Sequence, residues 1–150
     1  MRSMNRVFLI GHVGREPDVR TLPSGQKVAN FPLATNEVWR DASGQRQERT
    51  EWHRIVAFGR LAELSERYIR KGRYILVEGR IQSRQYTDAQ GNVRYITEII
   101  ARDISFLEPR SAVTADVADT IEPPPVLDDV EYESVTSDTS AEDEELDFLI

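Results

Sequence analysis

The stretch TEWHRIVAFGR, residues 50–60, concentrates the chemistry of this chain. In an extended strand, successive side chains point to opposite faces. Even positions then present Trp52, Arg54, Phe58 and Arg60 together, while odd positions hold His53, Ile55 and Ala57. Ile55 and Ala57 suit a core. The even face does not, because a guanidinium buried without a partner is costly, and exposed Trp is unusual on an idle surface. Large rings interleaved with cations suit a flat, negatively charged ligand. Bases stack on rings and phosphates follow the cations, which holds an unpaired strand without reading its sequence.

The pattern recurs along the chain. Trp39 closes TNEVWR with Arg40 beside it, at the start of the polar stretch DASGQRQER. Further on, Arg80, Gln82, Arg84 and Tyr86 share one parity, with Ile81 expected on the other face beside Val77 and Ile75. The competing reading is that Trp52 and Phe58 plug a core, but Arg54 on the same face would then be buried unpaired. Other chemistries lack their residues. The chain has no Cys and two histidines, His12 and His53, which fall on different strands, so no zinc site is expected. No phosphate-binding glycine loop, nucleophile elbow or metalloprotease motif occurs, and no catalytic group stands out. His53, beside core-facing positions, is expected to be a hydrogen-bonded structural histidine.

These residues need strands to position them. Arg6–Ile10 is an apolar run ended by Gly11 and Gly14, and Lys27–Glu37 alternates loosely, with Pro32 implying an edge or a bulge. Residues 51–58 form the third strand. Leu61, Leu64, Tyr68 and Ile69 recur at helical spacing, followed by Arg70, Lys71 and Gly72 as a basic last turn and a C′ glycine. Strands from Tyr74 to about Tyr86 and from Arg94 to Phe106 flank a hairpin tip at Asp88–Asn92. The expected fold is all-β with one short helix: an OB-fold, a five-stranded Greek-key barrel with the helix between strands three and four. That helix mixes Glu63 and Glu66 with Arg67, Arg70 and Lys71, which is no duplex-reading helix.

The net charge of −7 hides a division. Residues 1–110 hold all 19 basic residues against 13 acidic ones, a net of +6, while residues 111–150 hold 13 acids and no base. The domain expected over 1–110 is therefore basic, and the tail over 111–150, with its PPP run, has the composition of a disordered segment. No apolar run approaches a membrane span, and no secretory leader is expected.

The segments VFLIGHVGREPDVR, ANFPLATNEVWRD, TEWHRIVAFGRLAELSERYIRKG and VEGRIQSRQYTDAQGNVRYITEI, in that order, resemble the bacterial single-stranded DNA-binding protein family over residues 4 to about 108. The resemblance implies an OB-fold that assembles as a homotetramer and wraps single-stranded DNA in replication, recombination and repair, in the cytoplasm at the nucleoid. It implies base stacking by Trp39, Trp52, Phe58 and Tyr86, the last a position where the family commonly has Trp. It implies phosphate contacts by Arg54, Arg60, Lys71 and Arg84, and a subunit contact at His53. The family's tail ends in an acidic stretch, a proline and a terminal phenylalanine that recruit replication, recombination and repair proteins. Here Glu144, Glu145 and Asp147 lead into Phe148-Leu149-Ile150, acids before an apolar tip without the proline. That tip suits a basic-rimmed hydrophobic pocket.

The expected function is non-enzymatic, cofactor-free binding of single-stranded DNA, with the acidic tail recruiting partners and competing for the basic groove. An RNA-binding OB module, a protein-interaction scaffold using the same rings, and a nucleic-acid-processing enzyme are the alternatives. Matched DNA and RNA oligomers separate the first, and weak salt dependence without stacking marks the second. The third lacks a catalytic constellation.

Overall fold

The computed structural model describes residues 1–107. The expected domain end near residue 110, the disordered tail and its tip from Glu144 to Ile150 lie outside the described residues. The elements are β1 (Val7–Val13), β2 (Asp18–Thr21), β3 (Lys27–Arg40), β4 (Arg46–Phe58), α1 (Arg60–Tyr68), β5 (Tyr74–Thr87) and β6 (Val93–Phe106). The strands run in the order β1-β5-β6-β4-β3-β2, and an added β1–β3 pairing closes five of them into a barrel. All pairings are antiparallel except β4 with β6. The helix lies between β4 and β5, as an OB-fold requires.

The strand missing from the sequence reading is β2. Its four residues, Asp-Val-Arg-Thr, carry one apolar side chain and so no alternation to detect. It turns back on β3 through Leu22 and Gly25, and pairs Asp18–Thr21 with Lys27–Asn30. β1 and β2 thus share one edge of β3, β1 meeting it at Leu33 and Ala34. Pro32 lies between those two pairings, where its carbonyl accepts the Gly14 N–H at 2.9 Å. Its missing N–H faces the break between neighbours, so the proline sits in a central strand and marks neither an edge nor a bulge.

Strand alternation builds the core. Ala29, Phe31 and Leu33 of β3 and Ile55 and Ala57 of β4 point inward, with Val13, Ile75, Val77, Ile99, Ala101 and Ile104. The helix closes one end with Ala62, and Ile69, just past its last turn, is fully buried there. Burying side chains of this size is worth about 1.5–3 kcal/mol each. On the opposite parity, Val28, Val56 and Ile100 form a second small cluster, with Leu22 and Phe58 partly buried against it. The even face of β4 is therefore sealed at Val56 and opens only toward Trp52.

Four local expectations change. The helix ends at Tyr68, because Ile69 adopts extended backbone (φ −80°, ψ 130°) to reach the core. Gly72, at φ 87°, belongs to the turn into β5 and is not the helix C′ residue. The polar stretch after Trp39 is mostly strand: only Asp41–Gln45 forms the loop, and Arg46–Arg49 pair with Glu37–Arg40. This hairpin extends beyond the barrel, so both of its faces are polar and the alternation disappears. Asp41 organises the loop by accepting the Ser43 and Gln45 N–H groups and the side chains of Ser43 and Gln47. Those bonds to its charged form hold its pKa down to about 2. Finally, Ile81 is 48% exposed and outside the core, because β5 runs past its last pairing with β1 at Gly79 and leaves the barrel.

Candidate nucleic-acid interface

The outer face of β4 meets β3 on one side and β6 on the other. Across β3, Trp52 stands opposite Ala34, Arg54 opposite Pro32 and Val56 opposite Asn30. Trp52 is half-buried, and its indole lies against the backbone of Gly14. A Cβ at Gly14 would sit 2.4 and 2.8 Å from two ring atoms of Trp52 and 3.2 Å from Pro32. Gly14 and Pro32 therefore form the seat that orients the ring, and any side chain at 14 would displace it.

Beside this ring runs a groove of about 210 Å³ lined by Trp52, Arg54, Arg15, Asn30, Pro32 and Ile96, among others. Arg54 is half-buried, and its Nη1 is enclosed yet donates to nothing. A buried donor left unmatched costs about 1–3 kcal/mol. Arg15 enters from the end of β1. Its pKa is lowered, first by burial and then by the charge of Arg54, so two guanidinium groups repel each other across the groove. Asp18 accepts from Arg20 Nε at 3.2 Å, and Glu16 lies 3.7 Å from Arg70 and faces the Lys71 N–H at 3.4 Å.

The structure gathers only part of the expected site. Trp52 and Arg54 share the groove. Phe58 lies farther along the same parity, packed on Val28, Val56 and Ile100. On β5, Arg80, Gln82, Arg84 and Tyr86 share a face and pair with Ile100, Glu98, Ile96 and Arg94 of β6. Arg84 Nε is held by the 1% exposed Glu98 in a 2.6 Å ion pair. Tyr86 is half-buried toward the tip of that hairpin. Trp39 is 45% exposed and pairs with Gln47, so it sits on the opposite face of the β3–β4 hairpin from Trp52. Arg60 and Lys71 are exposed at either end of the α1 region, outside the groove lining.

His53 borders both this groove and a second hollow. Its Nε2 lies 2.8 Å from the Thr35 hydroxyl, and burial lowers its pKa while Glu51 opposes the shift. The hollow it lines also includes Phe8, Ile10, Glu37, Arg49 and Glu51. Phe8 and Ile10 are 63% and 50% exposed, an apolar pair standing on the outside of β1. Among the described residues, no cluster of three or more His, Asp or Glu could hold a metal, and no helix is long and apolar enough to cross a membrane.

Sequence reasoning missed Gly14, Arg15, Asn30, Pro32 and Ile96 as parts of this site. Gly14 and Arg15 follow the last residue of β1, where no strand period applies. Ile96 reads as an ordinary strand residue, and only the placement of β6 beside β4 brings it to Trp52.

The profile of the single-strand binding protein family matches residues 4–107. Single-stranded DNA-binding protein 1 of Chlorobaculum tepidum is 50% identical over 107 residues, which are 71% of this chain and 66% of that protein. Among solved structures, the Plasmodium falciparum SSB complex with ssDNA aligns with a TM-score of 0.66 and 42% identity, over 72% of this chain and 98% of that one. A deletion mutant of the Thermus aquaticus single-stranded DNA binding protein aligns with a TM-score of 0.63 and 36% identity, over 71% of this chain and 52% of that one. The chain thus spans just under two thirds of the Chlorobaculum relative and about half of the Thermus chain.

Proposed function

Because the chain belongs to the single-strand binding protein family, we propose that it binds and protects single-stranded DNA without sequence preference in replication, recombination and repair. The observation that carries this reading is Trp52, seated on Gly14 and Pro32 beside a half-buried Arg54 whose Nη1 has no partner. An unpaired base stacks on the indole at about 1–3 kcal/mol, and a phosphate supplies the acceptor that Arg54 lacks. A duplex keeps its bases stacked internally and cannot deliver a π-face to Trp52. Phe58 and Tyr86 extend the path along β4 and β5, and Trp39 on the far face serves a strand that wraps around the hairpin. Arg60 and Lys71 add phosphate contacts, while the Arg84 contribution is limited by its pairing with Glu98. No step breaks a covalent bond, so no catalytic residue is needed.

The apolar pair Phe8 and Ile10 beside His53 supports a subunit contact within a homotetramer. The acidic tip from Glu144 to Ile150 recruits replication, recombination and repair proteins at the nucleoid in the cytoplasm. Fluorescence anisotropy with labelled oligo-dT, oligo-rU and a DNA duplex of equal length tests the central reading. Tight, salt-weakened binding of oligo-dT over both others is expected. Preference for oligo-rU would move the protein to RNA, and no binding of either single strand would reject the proposal.

A further inference from the structure

We infer that Arg102 of β6 is a further phosphate-binding residue, set beside the base that stacks on Phe58. The inference rests on the single-strand-binding reading and gives β6 a charge that reading does not assign. Three observations carry it. The first is register. β4 and β6 run parallel, with Ile55 beside Ile99 and Val56 beside Ile100. Carried two residues on, that register sets Arg102 beside Phe58. Carried the other way, it sets Ile96 beside Trp52, and those two side chains do line one groove.

The second observation is a bulge. β5 and β6 pair Glu78 with Asp103 but Gly79 with Ala101, so Arg102 is the extra residue left out of the ladder. Ala101 and Ile104 both enter the core, while Arg102 and Asp103 between them are both exposed. Bulges re-aim side chains in this way. Gly79 permits the close approach, since a Cβ there would sit 2.3 Å from the Ile100 carbonyl oxygen. Arg102 thus follows Ile100 on the outer face, and Ile100 belongs to the cluster on which Phe58 packs.

The third observation is charge. Among the described residues, Arg102 forms no hydrogen bond or ion pair, with Asp103 or with any other. Arg80 on the neighbouring strand donates to Gln82 at 2.8 Å, and Glu78 is held by Arg6. An exposed guanidinium meets a phosphate without breaking an internal contact, and its planar fork matches the phosphate oxygens. Trp52 with Arg54 and Phe58 with Arg102 then form two ring-and-cation pairs, about 20 Å apart along β4. The sealed apolar stretch at Val56 and Ile100 lies between them. One strand is therefore held at two points.

The test measures oligo-dT affinity across a salt series for wild type, Arg102→Gln, Arg102→Lys, Phe58→Leu and the double variant Arg102→Gln/Phe58→Leu. Arg67→Gln makes the same charge change on an exposed residue of α1. Arg102→Gln should weaken binding about twofold to fivefold at low salt. It should also flatten the plot of log K against log salt by about 0.7. Arg102→Lys should keep the wild-type slope, as should Arg67→Gln. The double variant should lose less than the product of the two single losses, because ring and cation hold one nucleotide. The melting temperature of Arg102→Gln without DNA should match wild type. An unchanged slope and affinity in Arg102→Gln, or an equal effect from Arg67→Gln, would overturn the subsite and leave the single-strand reading intact. Losses that simply multiply in the double variant would also overturn it, since Arg102 would then act apart from Phe58. So would a lowered melting temperature with an unchanged slope, which would make Arg102 a structural residue. Failure of wild type to bind oligo-dT would instead overturn the underlying reading.

Discussion

Gly14→Ala should uncouple DNA binding from folding. The glycine does not lie in the positive-φ region, so alanine meets no backbone strain there. What it meets is the indole: its Cβ would lie 2.4 Å from one Trp52 ring atom and 2.8 Å from another. Carbon atoms pack best at about 3.5–4.0 Å, so the ring must move by about 1 Å or more. Were everything to stay in place, overpacking would cost about 1–3 kcal/mol of stability. Trp52 is only half-buried and borders an open groove, so the ring is free to swing outward, and stability should fall by less than about 1 kcal/mol. Stacking geometry is then lost instead. A base stacked on the ring contributes about 1–3 kcal/mol, so oligo-dT affinity should fall between about 5-fold and about 150-fold. The assay is tryptophan fluorescence in a Trp39→Phe background, which leaves Trp52 as the sole tryptophan, with thermal unfolding alongside. Gly14→Ala should also add little to Trp52→Ala in a double-mutant cycle. If Gly14→Ala binds and quenches like its parent, or weakens Trp52→Ala as much as it weakens the parent, the seat argument is wrong.

Arg84→Ala should destabilise the barrel by about 3–5 kcal/mol, because it strands the buried Glu98 carboxylate, and chemical denaturation measures this directly. His53 has a folded pKa below its ordinary 6.5, so its stabilising contribution is complete above that value and is lost as pH falls through the depressed one. Melting temperature should therefore drop as pH falls below the ordinary histidine value of about 6.5, and His53→Gln should flatten that part of the curve. Asp41→Ala should speed amide hydrogen exchange at Ser43 and Gln45 without changing oligo-dT affinity at Trp52. Removing residues 111–150, which carry 13 acids and no base, should raise oligo-dT affinity at low salt, and an unchanged affinity would argue against competition by the tail.

What the sequence made legible followed from periodicity. Ile55 and Ala57 face inward and Trp52 and Arg54 face outward because a strand alternates. Parity alone could not show that Val56 is sealed under Leu22 and Phe58, since burial on that face depends on the β2–β3 turn packing over it. The long hairpins failed in the other direction. Arg46–Arg49 and Ile81 lie where strands leave the barrel, so polarity no longer reports secondary structure and parity no longer reports burial. The pairing of Arg84 with the buried Glu98, 14 residues away, left no mark in the sequence because only the β5–β6 register joins them. Trp39 shares a residue type with Trp52 but not its face, a fact fixed by the pairing of Trp39 with Gln47 and Ala34 with Trp52. Arg15 gave no sequence signal because it lies beyond the last residue of β1, outside any repeating pattern.

The most direct measurement is the fluorescence of Trp39→Phe protein titrated with oligo-dT and with a duplex of equal length, at low and high salt. Strong quenching by oligo-dT alone, at an affinity that weakens as salt rises, is the predicted result and places a stacked base on Trp52 with phosphates on its cations. Oligo-dT that binds without changing Trp52 fluorescence, or that quenches no more than the duplex, would contradict the groove as the DNA-binding surface.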